Sequence, residues 1–323
     1  MPSYELIRLI NTVLTFYYME GLTQKEIAQR LGLSTPKVSR LLQQAREQGY
    51  VHISIRTPFQ TLFELEARLK AVFGLSDAVV IPAVGDNSIS LLNAIGVAAA
   101  NLLLEHLRDG DVLAITPGST VQAVANSIEA ARQYKVEVVP LLGASQGNIE
   151  SDMNYLATHM ADRMGGKAYQ LHAPSSVDTV EQAEALQSMG PVKEILDIAR
   201  RANIALLGVG TLDAEVSRFF QFTALSAEDL KNLTEDCGGV GEIGAHAYNI
   251  EGQPCGKEYA DRVIGLTLPE IKQIPFRIGV AGTATKALSI FAALRGGYLH
   301  ALVTDEAAAR GVLELFDQYF RKI

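Results

Sequence analysis

A set of polar side chains falls on one side of a helical pattern at residues 34–48. Apolar residues at 38, 41, 42 and 45 recur at helical spacing and predict the buried side. The opposite side carries hydroxyl, amide and positively charged groups, from Thr35, Lys37, Ser39, Arg40 and Gln44. Arg40 suits bidentate pairing with a guanine, and the others suit base edges and phosphates. The pattern predicts recognition of double-stranded DNA, with a solvated helix face as the alternative.

A second short helix is predicted just before this one. Thr23 and Glu26 have the spacing of a capping box, and Gly32 suits a tight turn. Ser34 is then a suitable N-cap for the following helix. Two helices with such a turn predict a helix-turn-helix, whose second helix enters the major groove. Gln24, at the start of the first helix, is expected to contact phosphate.

The flanking segments predict a winged helix-turn-helix domain over residues 1–57. Apolar residues at helical spacing within 4–21 predict a helix that covers the helix-turn-helix core. The alternating segment 50–56 predicts a strand, one arm of a wing. An amphipathic helix at 62–73 predicts a linker or neck over residues 58–75. This helix either pairs between subunits or packs on the body.

A second set of polar residues follows a predicted strand in the body, residues 76–323. The sequence TPGST at 116–120 places Gly118, Ser119 and Thr120 between that strand and a helix. Glycine lets a ligand approach the backbone, the hydroxyls donate hydrogen bonds, and a helix N-terminus attracts anions. These residues predict contact with a phosphate or polyol oxygen. An ordinary strand–helix turn is the alternative.

Three further stretches of the body carry groups that suit a sugar or its phosphate. Glu242, in the glycine-rich bend GVGEIGAH, suits sugar hydroxyls, whereas His246 is expected to be structural. Lys286, after the glycine loop of GVAGTATKAL, supplies charge for a phosphate, with a surface lysine as the alternative. A polar loop after residue 142 binds hydroxyls or is a plain solvent loop. Its candidates are Gly143, Gln146, Asn148 and Asp152.

Strands and helices alternate through the body. The predicted strands include 78–82, 111–116, 204–208, 277–281 and 299–304, with helical patterns between them. Such alternation predicts an α/β fold with a largely parallel sheet covered on both faces. Ligands of such sheets bind beyond the carboxyl ends of the strands, where the candidate residues lie.

Composition limits the classes of protein. The net charge is −8, yet residues 1–60 hold seven Lys and Arg against four Asp and Glu, as expected for a DNA-binding head on an acidic body. Two cysteines, Cys237 and Cys255, form neither a disulfide framework nor a metal motif, and indicate a reduced, cytoplasmic protein. The N-terminus does not resemble a signal peptide, and no long uncharged apolar run predicts a membrane span. We expect no metal and no cofactor.

The ordered motifs resemble the SorC family of bacterial sugar-responsive transcriptional regulators. The head matches through GLTQKEIAQRLGLSTPKVSRLLQQAREQG, and the body through residues 208–210, 238–244 and 262–309. The resemblance covers essentially the whole chain. It implies a winged helix-turn-helix head and a Rossmann-like effector domain similar to sugar-phosphate isomerases. It also implies a homotetramer, often a dimer of dimers, and a phosphorylated sugar or related effector.

The resemblance places the effector site on particular residues of this chain. It implies that the loop holding phosphate and sugar falls on 118–120, the acidic sugar contact on Glu242 and the helix lysine on Lys286. Some members have an arginine where Leu142 and its neighbours stand here, which leaves room for an unphosphorylated sugar or polyol. Thr283 also follows Gly282 in place of the more usual paired glycines.

The sequence therefore predicts a regulator of a carbohydrate-utilisation operon whose operator binding responds to a small effector. Its partners are expected to be double-stranded operator DNA, the effector and further copies of itself. The alternative is a sugar-phosphate isomerase or aldolase-like enzyme with an appended head. Glu242 would be its base, but no second acid–base residue stands at a convincing position.

Overall fold

The computed structural model describes residues 4–51, 59–83, 88–144, 152–213 and 225–320. The chain divides into two compact units, Met1–Pro58 and Phe59–Ile323. The predicted domain bounds 1–57, 58–75 and 76–323 differ from this division chiefly in the helix predicted as a neck.

The first unit is a three-helix head. Helix α1 (Tyr4–Leu14) continues into a π-helical turn (Thr15–Met19), and α2 (Gln24–Leu31) and α3 (Thr35–Glu47) follow. Their shared core joins two residues of α1 to the predicted inward faces of α2 and α3. Its fully buried members are Ile10, Val13, Ile27, Ala28, Val38, Leu41, Leu42 and Ala45.

Local sequence signals determine the turn between α2 and α3. Thr23 and Glu26 form the predicted capping box, and the Thr23 backbone N–H donates to a Glu26 carboxylate oxygen at 2.8 Å. Gly32 ends α2 with φ +65°, a conformation that glycine adopts without strain. Ser34 occupies the N-cap position of α3, but its side chain makes no capping hydrogen bond. Residues 52–56 of the predicted wing strand lie outside the described residues.

The second unit is built on a seven-stranded parallel sheet in the order β1-β10-β9-β5-β2-β3-β4. The α/β prediction is therefore confirmed. The strands of this sheet are β1 (Asp77–Ile81), β2 (Val112–Ile115), β3 (Glu137–Pro140), β4 (Lys167–Ala168), β5 (Ile204–Gly208), β9 (Phe276–Val280) and β10 (Ala301–Asp305).

Helices cover both faces of this sheet. The longer ones are α4 (Gln60–Phe73), α5 (Ser88–His106), α6 (Ser119–Ser127), α7 (Met153–Met164), α8 (Val180–Ser188), α9 (Gly190–Arg200), α13 (Ala287–Arg295) and α14 (Glu306–Phe320). Three short helices are α10 (Ala227–Lys231), α11 (Lys257–Ala260) and α12 (Leu268–Ile271). Alternate residues of β5 enter different cores: Leu206 packs with α5, α6 and α7, and Leu207 packs with α4, α9, α13 and α14.

The helix predicted as a neck, α4, packs on the body. Its buried residues Leu62, Leu65 and Leu69 belong to the larger core, and Glu66 accepts a hydrogen bond from the Val80 N–H of the edge strand β1 at 2.9 Å. Helix α4 thus packs on the body, and its pairing between subunits stays a prediction.

A small antiparallel sheet lies beside the main one. It contains β6 (Gly210–Thr211), β7 (Gly239–Ile243) and β8 (His246–Asn249), in that order. The stretch expected to be a glycine-rich bend is thus a β-hairpin, with Glu242 in β7 paired with Gly210 and Ala247.

One expectation from composition needs correction. Cys237 and Cys255, expected to be reduced thiols, are joined in a disulfide. Among the described residues, helix α5 is long and apolar enough to cross a membrane by length and composition alone. It packs against α6 and the sheet, as a helix of an α/β core does.

Candidate functional site

The carboxyl ends of β2 and β5 form the switch point of the sheet. From β2 the chain proceeds to β3 and β4 on one side, whereas from β5 it proceeds to β9 and β10 on the other. Loops diverge at such a point and leave a crevice for a ligand. The Thr116 hydroxyl accepts a hydrogen bond from the Gly208 N–H at 2.8 Å, and the Thr120 hydroxyl donates to the Val280 carbonyl at 3.2 Å. These two threonines tie the ends of three strands together.

The predicted loop at 118–120 lies at this switch point. Gly118 has φ +129° and precedes α6, a conformation that favours glycine. Ser119 and Thr120 form the first turn of α6, whose initial N–H groups have no partner within the helix. Ser119 is partly exposed and Thr120 is buried. The loop therefore presents a helix N-terminus and one accessible hydroxyl.

Lys286 approaches the same point from the other side. It ends a 3₁₀ turn (Ala284–Lys286) before α13, and its Nζ donates to the Val209 carbonyl at 3.0 Å. Thr283 stands directly before this turn and has φ +82°. Its N–H donates to Asp305 Oδ1 at 2.6 Å. Asp305 also accepts from the Ala307 N–H at 3.2 Å. The buried Asp305 at the end of β10 thus holds the loop that delivers Lys286.

Glu242 lies against the strand segment that Lys286 contacts. A Cβ atom on Gly210 would come within 1.9 Å of Glu242 Oε1, so only glycine leaves room for this carboxylate. The Ala245 N–H donates to Glu242 Oε2 at 3.3 Å. Burial raises the pKa of Glu242 to about 7, against the opposing attraction of Lys286. This carboxyl is therefore divided between its neutral and ionised forms near neutral pH.

His246 belongs to the packing of the hairpin. It pairs with Ile243 and is buried, 3% exposed, and burial lowers its pKa to about 4. Neighbouring residues of a strand point to opposite faces, so His246 shares a face with Ile243 and not with Glu242. This placement agrees with the structural role expected from the sequence.

The loop candidates after residue 142 have local partners. Gly143 is buried, donates to the Ile264 carbonyl at 2.8 Å and leaves no space for a Cβ beneath Pro174. Asp152 caps α7 by accepting from the N–H groups of Asn154 and Tyr155, at 2.9 and 3.1 Å. The described contacts of both residues are thus with neighbouring backbone. Gln146 and Asn148 lie outside the described residues.

The candidate DNA interface of the head is its exposed α3 surface. Thr35, Lys37, Ser39 and Arg40 are exposed, and Gln24 and Gln44 are partly buried. The Arg40 Nε hydrogen bond to the Pro36 carbonyl is long, at 3.4 Å, and weakly fixes the side chain. This exposed surface offers hydrogen-bond donors that suit base edges and phosphates.

Sequence reasoning missed two residues of the body site, Thr116 and Asp305, as named contributors. Thr116 directly follows β2 and Asp305 ends β10, and polar residues at the carboxyl ends of parallel strands are the signal that would have identified both. Among the residues that the structure describes, no group of three or more His, Cys, Asp and Glu is placed to hold a metal ion.

Sequence comparisons agree with this division of the chain. Residues 57–314 match a family of sugar-binding domains, and residues 11–48 match region 4 of sigma-70 factors. The transcriptional regulator LsrR of Escherichia coli O139:H28 is 30% identical over 303 residues, covering 92% of each chain. LsrR of Klebsiella pneumoniae is 31% identical over 309 residues, covering 95% of this chain and 93% of its own.

Solved structures match the same architecture. The full-length sorbitol operon regulator SorC from Klebsiella pneumoniae superimposes with a TM-score of 0.75 at 26% identity, covering 96% of this chain and all of SorC. A sugar-binding domain of a transcriptional repressor from Vibrio fischeri superimposes with a TM-score of 0.72 at 28% identity, covering 78% of this chain and 98% of its own. The family prediction is confirmed, and the chain belongs to the SorC family of transcriptional regulators.

Proposed function

We propose that the chain controls a carbohydrate-utilisation operon by binding operator DNA through α3, and that a small sugar, polyol or sugar phosphate bound in the body modulates this binding. The supporting observation is that three elements converge on residues 208–210: Thr116 bonds Gly208, Lys286 bonds Val209 and Glu242 lies over Gly210. This brings a carboxyl, an ammonium and a helix N-terminus to one switch point.

The proposed effector contacts follow from the chemistry of each group. The N-terminus of α6 with Gly118, Ser119 and Thr120 suits an anion or polyol oxygen. Glu242 suits hydroxyl groups, since near neutral pH it both donates and accepts hydrogen bonds. Lys286 adds a positive charge. An unphosphorylated sugar remains within this proposal because Leu142 stands where the family resemblance implies an arginine in some members.

The proposed DNA contacts are those of α3 and the start of α2. Arg40 reads a base, and the neighbouring hydroxyl, amide and ammonium groups of Thr35, Lys37, Ser39, Gln44 and Gln24 divide base and phosphate contacts. A single helix-turn-helix makes few such contacts, so we propose that a homodimer or homotetramer presents paired heads. The regulator then acts in the cytoplasm, where the operator is.

A thermal-shift screen against sugars, polyols and their phosphates tests the effector half of the proposal. A ligand that binds the folded state alone raises the melting temperature with its concentration. We expect at least one compound of these classes to do so. No response to any of them would contradict the assigned effector class.

A gel-shift assay with DNA upstream of the neighbouring operon tests the other half. We expect a sequence-selective complex whose affinity falls steeply with salt, because phosphate contacts release counterions. The effector found in the screen is expected to change this affinity, and a change of about 5- to 150-fold corresponds to a coupling of roughly 1–3 kcal/mol. Absence of a selective complex at every effector level would exclude the proposal.

Catalysis is the alternative that Glu242 raises, because a carboxyl with a pKa of about 7 suits a general base. The relatives are transcriptional regulators, which favours a non-catalytic role. Incubation with sugar phosphates under turnover conditions separates the two. Consumption of substrate that depends on Glu242 would establish an enzyme.

A further inference from the structure

The two cysteines of the chain meet beside the strand that carries Glu242. Cys237 and Cys255 are the only cysteines among 323 residues. They lie 18 residues apart in sequence, yet their Cα atoms are 5.7 Å apart, a usual distance for a disulfide, and the two are bonded. Disulfides of proteins that share a compartment with DNA are usually transient and redox-sensing, because thiols are kept reduced there.

The bond connects two segments on either side of the β7–β8 hairpin. Cys237 follows a π-helical turn (Asn232–Asp236) and stands two residues before β7. The Cys255 N–H donates to the Ala247 carbonyl of β8 at 2.8 Å. Ala247 in turn lies opposite Glu242 in the ladder. The disulfide therefore links the entry of β7 to the backbone that flanks Glu242.

Packing holds the two sulfurs within reach of each other. Leu233 of the π-helical turn is fully buried, and Cβ atoms on Gly239 and Gly256 would come within 2.4 Å of its carbonyl oxygen and 2.1 Å of its Cδ2. The segments that bear Cys237 and Cys255 thus meet closely around this leucine. Cys255 is 3% exposed, whereas Cys237 is partly exposed. Cys237 is therefore the more exposed residue of the pair.

We propose that Cys237 and Cys255 are a reversible redox pair whose oxidation by a peroxide orders the strand carrying Glu242. The Cys237 thiolate attacks one oxygen of hydrogen peroxide, forming a sulfenic acid and releasing the other oxygen as water after protonation. The Cys255 sulfur then displaces the sulfenic oxygen as a second water, so that two thiols become one disulfide and the peroxide is reduced. A dithiol reductant reverses the bond through a mixed disulfide. The effect of an ordered β7 on effector binding rests on the proposed function.

Hydrogen exchange on the full-length chain tests the pair without DNA or effector. One sample is reduced with dithiothreitol and desalted. A second sample is reduced and desalted in the same way and is then treated with hydrogen peroxide. Alkylation of the denatured protein followed by mass spectrometry counts free thiols, with two expected before peroxide and none after. We expect the amides of β7 to exchange about threefold or more slowly in the oxidised sample.

A matched variant shows whether the bond itself is responsible. Cys237→Ser changes the partly exposed partner and leaves the buried Cys255 in place. Its β7 amides should exchange as in the reduced protein, before and after peroxide. Two free thiols in the peroxide-treated chain, or equal exchange of β7 in both redox states, would overturn the proposal. Neither result bears on the proposed DNA and effector binding, which are tested separately.

Discussion

At the scale of single residues, the protonation of Glu242 in the candidate body site depends on its burial and on the nearby charge of Lys286. Burial favours the neutral acid, and the nearby ammonium favours the carboxylate. Lys286 is held by the Val209 carbonyl, so its charge stays near the site. The sequence predicted both residues, but not the balance between them, since burial is a tertiary property.

We expect Glu242 to make stability fall as the pH rises from about 4.5 to about 7. In this window the unfolded carboxyl ionises near its ordinary pKa of 4.5, whereas the folded one retains its proton up to about 7. Glu242→Gln removes this contribution, which is on the order of 3 kcal/mol at about 1.4 kcal/mol per pKa unit. Thermal unfolding at pH 5 and pH 8 measures it.

The variant's advantage over the natural chain should therefore grow toward pH 8. Glu235→Gln is a suitable control, because Glu235 is exposed in the nearby π-helical turn. It removes one carboxyl close to β7 and so measures the effect of losing a negative charge on the melting temperature. If the melting temperatures of Glu242→Gln and the natural chain differed equally at pH 5 and pH 8, the pKa of Glu242 would not be raised in the folded chain.

Thr283 is expected to carry backbone strain. Its φ of +82° is unfavourable for a residue with a branched Cβ, and glycine removes that cost. Thr283→Gly should therefore keep or raise the melting temperature. Thr285→Gly removes the same Thr283–Thr285 hydroxyl contact of 2.7 Å but has no such strain to relieve, and should cost about 1 kcal/mol. Equal losses in the two variants would mean that Thr283 is unstrained.

At the scale of elements, local signals were enough for helices α2 and α3 of the head but not for the hairpin. The capping box, the Gly32 turn and the buried faces of α2 and α3 depend on near neighbours in sequence, and all were predicted. The β7–β8 hairpin was missed because Gly239 and Gly241 interrupt, within β7, the alternation that identifies strands. The Cys237–Cys255 bond was missed because it joins segments through tertiary packing.

The β6–β7 pairing leads to a prediction about Gly210. In Gly210→Ala the new Cβ would meet Glu242 Oε1, Cδ and Cγ at 1.9, 2.7 and 2.9 Å, so the whole carboxylate must move. We expect a loss of about 1–3 kcal/mol, as for other overpacked sites. Gly190→Ala is the matched control, since its Cβ meets nothing within 4 Å at the start of α9.

Thermal or denaturant unfolding of both glycine variants measures these changes. The control should be neutral or slightly stabilising, because alanine lowers the entropy of the unfolded chain. If both variants lost the same stability, the tight fit of Glu242 against Gly210 would be contradicted.

At the scale of the whole molecule, the two compact units have separate cores and separate proposed ligands. The basic head and acidic body were predicted because net charge is counted from the sequence alone. The strand order was not, since it depends on which strands meet across the sheet. Knowledge of the order places the loops after β2 and β5 together and turns scattered motifs into one candidate site.

Separate substitutions in the two units should separate the two activities. Arg40→Ala should weaken specific operator binding far more than non-specific binding, and leave the ligand-induced rise in melting temperature intact.

Lys286→Met keeps the apolar stem but removes the charge, and should abolish the effector response while operator binding persists. Lys257→Met is the control for charge, because its exposed ion pair with Asp261 contributes little. Gel shifts with and without effector, beside thermal shifts, measure all three variants. Equal losses of specific and non-specific binding in Arg40→Ala would reduce that residue to a phosphate contact, and an unchanged effector response in Lys286→Met would remove it from the site.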